Sequence, residues 1–165
     1  MSSSDHNTYA GFRLTSTAFE DDGDLPIRFT QAGDDVSPPL AWEGVPEGTE
    51  ELVLICEDRD SEEGVITHWV VYGIIPGEVD GLPEDLGDQA LVTGEGYELY
   101  QGLNEWDISG WTGPQDVDEL PHRFFFRLHA MDTELVSLTP GASRDELREV
   151  AKGHIIATAE LVGIA

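Results

Sequence analysis

From Gly11 onward, short apolar segments alternate with clusters of Gly, Pro and Asp, the rhythm of a β-rich chain. Phe12-Arg13-Leu14-Thr15-Ser16 alternates apolar and polar positions and predicts a strand. Asp21-Asp22-Gly23-Asp24-Leu25-Pro26 predicts a turn. Ser37-Pro38-Pro39-Leu40-Ala41-Trp42 predicts an extended lead into a second strand, because its two prolines block helix. Val45-Pro46-Glu47-Gly48-Thr49 reads as a further turn. Two continuous apolar runs, Leu52-Val53-Leu54-Ile55-Cys56 and Trp69-Val70-Val71-Tyr72-Gly73-Ile74-Ile75, are rich in β-branched residues and too short for a buried helix, so they predict central strands. The segment from Arg123 to Met131 predicts another, with Phe124, Phe126 and Leu128 on one face and Arg123, Phe125, Arg127 and His129 on the other.

The helical signal falls near the C-terminus. Ser143 followed by Glu146 makes a capping box, Leu147, Val150 and Ala151 follow at helical spacing, and Gly153 ends the helix. The stretch from His154 to Val162 could prolong that helix, but Gly153 and its β-branched content favour a last strand. The expected fold class is mainly β, a two-sheet antiparallel, Greek-key-like sandwich with one or two accessory helices. Residues 1–10 are polar and expected to be loose, and residues 11–165 are expected to form a single domain.

Composition sharpens this picture. The 165 residues are 39% hydrophobic, enough for a core, and no apolar run is long enough for a transmembrane helix. The start has neither a basic end nor an apolar stretch, so no secretory signal is expected and a cytoplasmic location is. A single cysteine, Cys56, excludes an internal disulfide framework, and its place in an apolar strand predicts a buried structural thiol. Asp and Glu number 34 against 8 Lys and Arg, a formal net charge of −26, where a small domain ordinarily carries a magnitude of roughly 2–8. The acids run along the whole chain, around residues 20–24, 47–51, 57–63, 116–119 and 145–149, and Lys152 is the one lysine. That distribution argues against a local acidic patch and for adaptation to high salt, where a Debye length of about 3 Å at ~1 M mutes self-repulsion. With no basic stripe, no nucleic-acid partner is expected.

The candidate chemistry lies at strand ends. Asp58 and Asp60 sit where the first central strand emerges into Glu57-Asp58-Arg59-Asp60-Ser61-Glu62-Glu63-Gly64. That loop begins like a calcium loop but has Glu63 where glycine is needed at position six and Trp69 where glutamate is needed at position twelve. His68 opens the second central strand and His122 the aromatic one. Convergence of these four on one rim would make a polar, partly buried pocket. No pair has the short spacing of a zinc site, so no metal and no cofactor is expected. Ser61 lies in no G-x-S-x-G frame, so no nucleophile is apparent. The loop Gly110-Trp111-Thr112-Gly113-Pro114 could offer backbone N–H groups to an anion.

In order, Phe12 to Ser16, Ser37 to Trp42, Asp58-Arg59-Asp60, His68-Trp69, Gly110 to Pro114, His122-Arg123-Phe124 and the segment Gly153 to Gly163 resemble the phosphatidylethanolamine-binding protein family, in particular its bacterial and archaeal, kinase-inhibitor-like branch. The resemblance covers about residues 11 to 165 and implies a two-sheet antiparallel sandwich with a small anion pocket at one end. It implies a site made of Asp58 and Asp60 (the aspartates of an Asp-Pro-Asp motif), His68, Gly113, Pro114 and His122, which in the family surround a phosphate or similar anionic headgroup. Three positions depart from the pattern. Arg59 replaces the proline between the aspartates, Phe124 replaces a tyrosine hydroxyl, and Gln115 stands where a second proline is common. They weigh against phosphatidylethanolamine itself more than against an anion pocket.

The expected function is a non-enzymatic binding protein for a small anionic or phosphorylated ligand. His68 and His122 would donate to the oxyanion, helped by backbone N–H groups near Gly113, while Asp58 would orient a histidine. An alternative by analogy is regulation of a protein partner such as a kinase through the pocket rim, and a homodimer is reasonable for this branch. A hydrolase using Asp58 and His68 as base and orienter is the weakest reading, for want of an activated nucleophile.

Overall fold

The computed structural model describes residues 11–115 and 120–165, so the expected loose start and the acids of 116–119 lie outside the described residues. The elements run β1 (Arg13–Thr15), β2 (Gly23–Asp24), β3 (Leu40–Glu43), β4 (Glu51–Asp58), β5 (Ile66–Ile74), β6 (Gly81–Leu82), β7 (Leu91–Gly94), β8 (Tyr97–Gln101), β9 (Arg123–Met131), α1 (Arg144–Ala151) and β10 (Ile155–Ile164). A three-stranded sheet in the order β1-β3-β6 faces a seven-stranded sheet in the order β2-β10-β9-β4-β5-β8-β7. All pairings are antiparallel except β2 with β10, which is parallel. This is the mainly β, two-sheet architecture expected from the periodicity.

Alternation along the central strands sorts the side chains into two cores. Leu52, Leu54 and Cys56 of β4, Trp69 and Val71 of β5, and Phe124, Phe126 and Leu128 of β9 point between the sheets, where they meet Leu14, Leu40, Trp42 and Leu82 of the smaller sheet. Burying each such side chain is worth roughly 1.5–3 kcal/mol. Cys56 is fully buried there, and its thiol is pushed well up, first by burial and then by neighbouring Glu57 and Asp58. On the outer face, Val53, Val70, Tyr72 and Met131 pack under Leu147 and Ala151 of α1.

The capping box closes as read. The Ser143 hydroxyl accepts the Glu146 N–H at 3.1 Å, and the Glu146 carboxylate accepts the Ser143 N–H at 3.0 Å. Gly153, at φ +82°, then turns the chain into β10, a strand rather than more helix. The turn at 21–26 is real, with Asp22 at φ 63°, but two of its residues form β2 beside β10. The hairpin of β7 and β8 and the short β6 add to the strands read from the sequence.

Candidate functional site

The site begins where β4 and β9 end side by side. Asp58 lies opposite Phe124 in register, so its carboxylate shares the inter-sheet side with His122, two residues before Phe124. His122 Nδ1 is 2.7 Å from Asp58 Oδ2, and both side chains are largely buried. The same carboxylate's Oδ1 accepts the Asp60 N–H at 2.9 Å, fixing the loop at the end of β4. Asp60 then turns toward β9. It accepts from the Arg123 backbone N–H at 2.8 Å and from its guanidinium at 3.0 and 2.9 Å. That guanidinium holds the Asp60 carboxyl below the usual range. Asp58 therefore faces the site, while Asp60 staples the loop to β9 beside His122.

Strict alternation would put His68 on the outer face with Val70. The β4–β5 register slips, however, from Cys56↔Trp69 to Glu57↔Thr67, which leaves His68 as the extra residue of a β-bulge. The bulge turns the imidazole inward, where it meets the edges of Phe124 and Trp106, each with ring centroids 5.0 Å away. Its Nδ1 donates to the Thr112 carbonyl at 2.5 Å. A carbonyl only accepts, so Nδ1 carries the proton and Nε2 is a lone pair while the ring is neutral. Burial lowers the His68 pKa from its ordinary value, opposed by the Thr112 bond and by Asp58.

Asp58, His68, His122, Phe124 and Trp106 line one cavity of about 400 Å³. Its other walls include Ser61, Glu62, Glu63 and Glu105, with Ile66 and Gln115, and no Lys or Arg. Ser61 Oγ accepts the Glu63 N–H at 3.1 Å in a local turn. No group of three or more potential metal ligands is gathered among the described residues.

The glycine-proline loop is placed beside the cavity rather than as a donor to it. The Gly113 N–H goes to Asp35 Oδ1 at 2.7 Å, and the Thr112 N–H goes to the His68 carbonyl at 3.2 Å. Pro114 has no N–H, and it lines an adjoining apolar cavity that shares His122, Phe124 and Gln115 with the first. Glycine is required at 113, because a Cβ there would stand 2.2 Å from the Phe29 carbonyl oxygen. The expectation that N–H groups near Gly113 serve an anion is thus corrected for Thr112 and Gly113, whose amides are already bonded within the protein.

Two positioning residues escaped the sequence reading. Asn104 donates to the Gly110 carbonyl at 3.0 Å and the Thr112 hydroxyl at 2.8 Å, and accepts from the Trp106 and Ile108 N–H groups at 2.9 and 3.2 Å. It shapes the loop that sets Trp106 and the Thr112 carbonyl against His68. Asp35 does the same for Gly113. An asparagine or aspartate amid loop residues carries no pattern that marks such a role.

The fold is a two-sheet β sandwich with a histidine-aspartate pair at the rim of a small cavity. The phosphatidylethanolamine-binding protein model matches residues 15–165. A "UPF0098 protein" of Methanothermobacter thermautotrophicus is 40% identical over 92% of this chain and 96% of its own, and one of Aquifex aeolicus is 38% identical over 90% and 85%. A phosphatidylethanolamine-binding protein homolog from Chlamydia trachomatis superposes with a TM-score of 0.81 at 35% identity, covering 94% of this chain and 97% of its own. YbcL of Escherichia coli, a member of the mammalian family, does so at 0.79 and 28%, covering 94% and 98%. The chain belongs to the phosphatidylethanolamine-binding protein family.

Proposed function

We propose that this protein is a non-enzymatic binder of a small anionic, phosphoryl-bearing ligand, adapted to high salt. The observation that carries the reading is the convergence of His68 and the His122–Asp58 pair on one cavity. His68 becomes a donor at Nε2 only when protonated, since Nδ1 is committed to Thr112. Anion affinity therefore rises as pH falls through the lowered pKa of His68. Asp58 holds the His122 ring in place. The acidic wall of Glu62, Glu63 and Glu105 opposes a bare dianion and suits a ligand that also carries an amine.

Adaptation to salt rests on where the acids lie. Among the described residues, the buried ones are Glu51, Glu57, Asp58 and Glu160, so the rest of the charge faces solvent. In multimolar salt distant carboxylates are screened, and only groups touching the ligand matter.

The test is calorimetry in multimolar KCl with inorganic phosphate and phosphoethanolamine, across pH 5 to 8. Binding that strengthens toward low pH, and weakens in both His68→Ala and His122→Ala, supports the reading. Unchanged binding in both variants overturns it.

A further inference from the structure

On the opposite face of the large sheet, α1 leaves a third cavity between itself and strands β4 and β9. Its volume is about 240 Å³, and Val53, Ile55, Met131 and Leu147 give it an apolar lining. Three of the chain's eight Lys and Arg residues, Arg127, Arg148 and Lys152, line it as well. Neither of the two cavities described above is lined by any Lys or Arg.

Part of this charge is engaged within the protein. Arg148 gives Nη2 to Glu57 at 2.6 Å, and Arg127 gives Nε to Glu160 at 2.8 Å. Each guanidinium has five N–H groups, so these single bonds leave others for a ligand. Glu57 also takes a bond from Arg59 at 3.1 Å, so the cations outnumber the carboxylates here. The exposed Lys152 ammonium has no carboxylate partner among the described residues. Against a chain charge of −26, such a basic island around an apolar hollow is complementary to one ligand chemistry.

We propose that the cavity between α1, β4 and β9 binds a single-chain amphiphilic anion, a carboxylate or phosphate head on a short apolar tail. The head meets Lys152, Arg148 and Arg127, and the tail lies on Val53, Ile55 and Met131. The volume sits just below the roughly 300–1,000 Å³ of ordinary ligand pockets, which suits one short tail and excludes a two-chain lipid. High salt screens the attraction at a distance but leaves contact hydrogen bonds and strengthens apolar burial. The site is separate from the histidine cavity and does not depend on the reading given for it.

The test uses the whole chain in multimolar KCl, with potassium octanoate as probe, calorimetry for affinity and NMR shifts for location. Octanoate should bind once, with shifts at Val53, Met131 and Leu147, while octylammonium and acetate should not. Lys152→Glu, at an exposed position, should weaken binding on the order of tenfold. Ala151→Phe, which fills the hollow, should abolish it. His122→Ala should leave it unchanged. No octanoate binding by the folded protein, equal affinity in Lys152→Glu, or loss in His122→Ala would each overturn the proposal. So would binding only to two-chain phosphatidylglycerol vesicles.

Discussion

His122 Nδ1 and Asp58 Oδ2 stand 2.7 Å apart although 64 residues separate them along the chain. They meet because β4 and β9 pair antiparallel, so the last residue of one strand adjoins the first residues of the other. The carboxylate is committed twice, to the imidazole and to the Asp60 N–H. Asp58→Asn keeps the shape but loses the charge-assisted bond. Urea unfolding in multimolar KCl should show a loss of about 1–3 kcal/mol, and phosphate binding should weaken with it. Full stability and unchanged binding would mean that the pair holds nothing in place.

Salt dependence follows from the exposed carboxylates. Thermal melting in low and in multimolar KCl should show the fold lost at low salt, where repulsion among unscreened acids is strongest. A melting temperature that does not move with KCl would remove the case for salt adaptation.

Acid should weaken the fold well above the carboxylate range. Burial, with help from Arg127, lowers His129 to about 4, and burial lowers His68 as well. The unfolded chain then binds more protons than the native state as pH falls from 6.5 toward 4, so stability declines across that window. His129 alone accounts for up to about 3 kcal/mol. Buried Glu51, whose carboxyl is raised by burial, acts with the opposite sign, because it favours the native state as it gains its proton. Denaturant midpoints measured from pH 7 to 4 should fall, and His129→Gln should flatten the slope. A flat profile in the parent protein would contradict the burial of these imidazoles.

The strands with the longest apolar runs were legible because alternation and β-branching report burial directly. The helix was legible from its capping box, since Ser143 and Glu146 signal each other at fixed spacing. The β7–β8 hairpin carries a weaker signal, two short runs, Leu91-Val92-Thr93 and Tyr97-Glu98-Leu99-Tyr100, flanking Gly94 and Gly96. β2 and β6, at two residues each, exist only through their partners. At the site, Asp58, His68 and His122 were all placed at strand ends. The inward turn of His68 was not readable, because a bulge is a property of the pairing with β4 rather than of one strand. The same holds for Asp35 and Asn104, whose roles depend on amides brought to them from elsewhere.

Gly113→Ala should be costly despite the small change. The added methyl would press on the Phe29 carbonyl and on Asp35 Oδ1, 2.6 Å away, at the loop that carries Thr112. A loss of about 1–3 kcal/mol is expected from chemical denaturation. The His68 ring signals should shift in NMR spectra, since Thr112 holds that ring. Spectra and midpoints identical to the parent would show that the loop gives way freely.

β9, which carries His122 and the aromatic wall, lies between β4 from the first half of the chain and β10 from its last residues. His122 and Asp58 are held side by side only once β9 has docked between β4 and β10, so the histidine cavity takes shape late in the assembly of the sheet. Such non-local closure also makes for slow folding. Until then the aromatic strand lacks one neighbour.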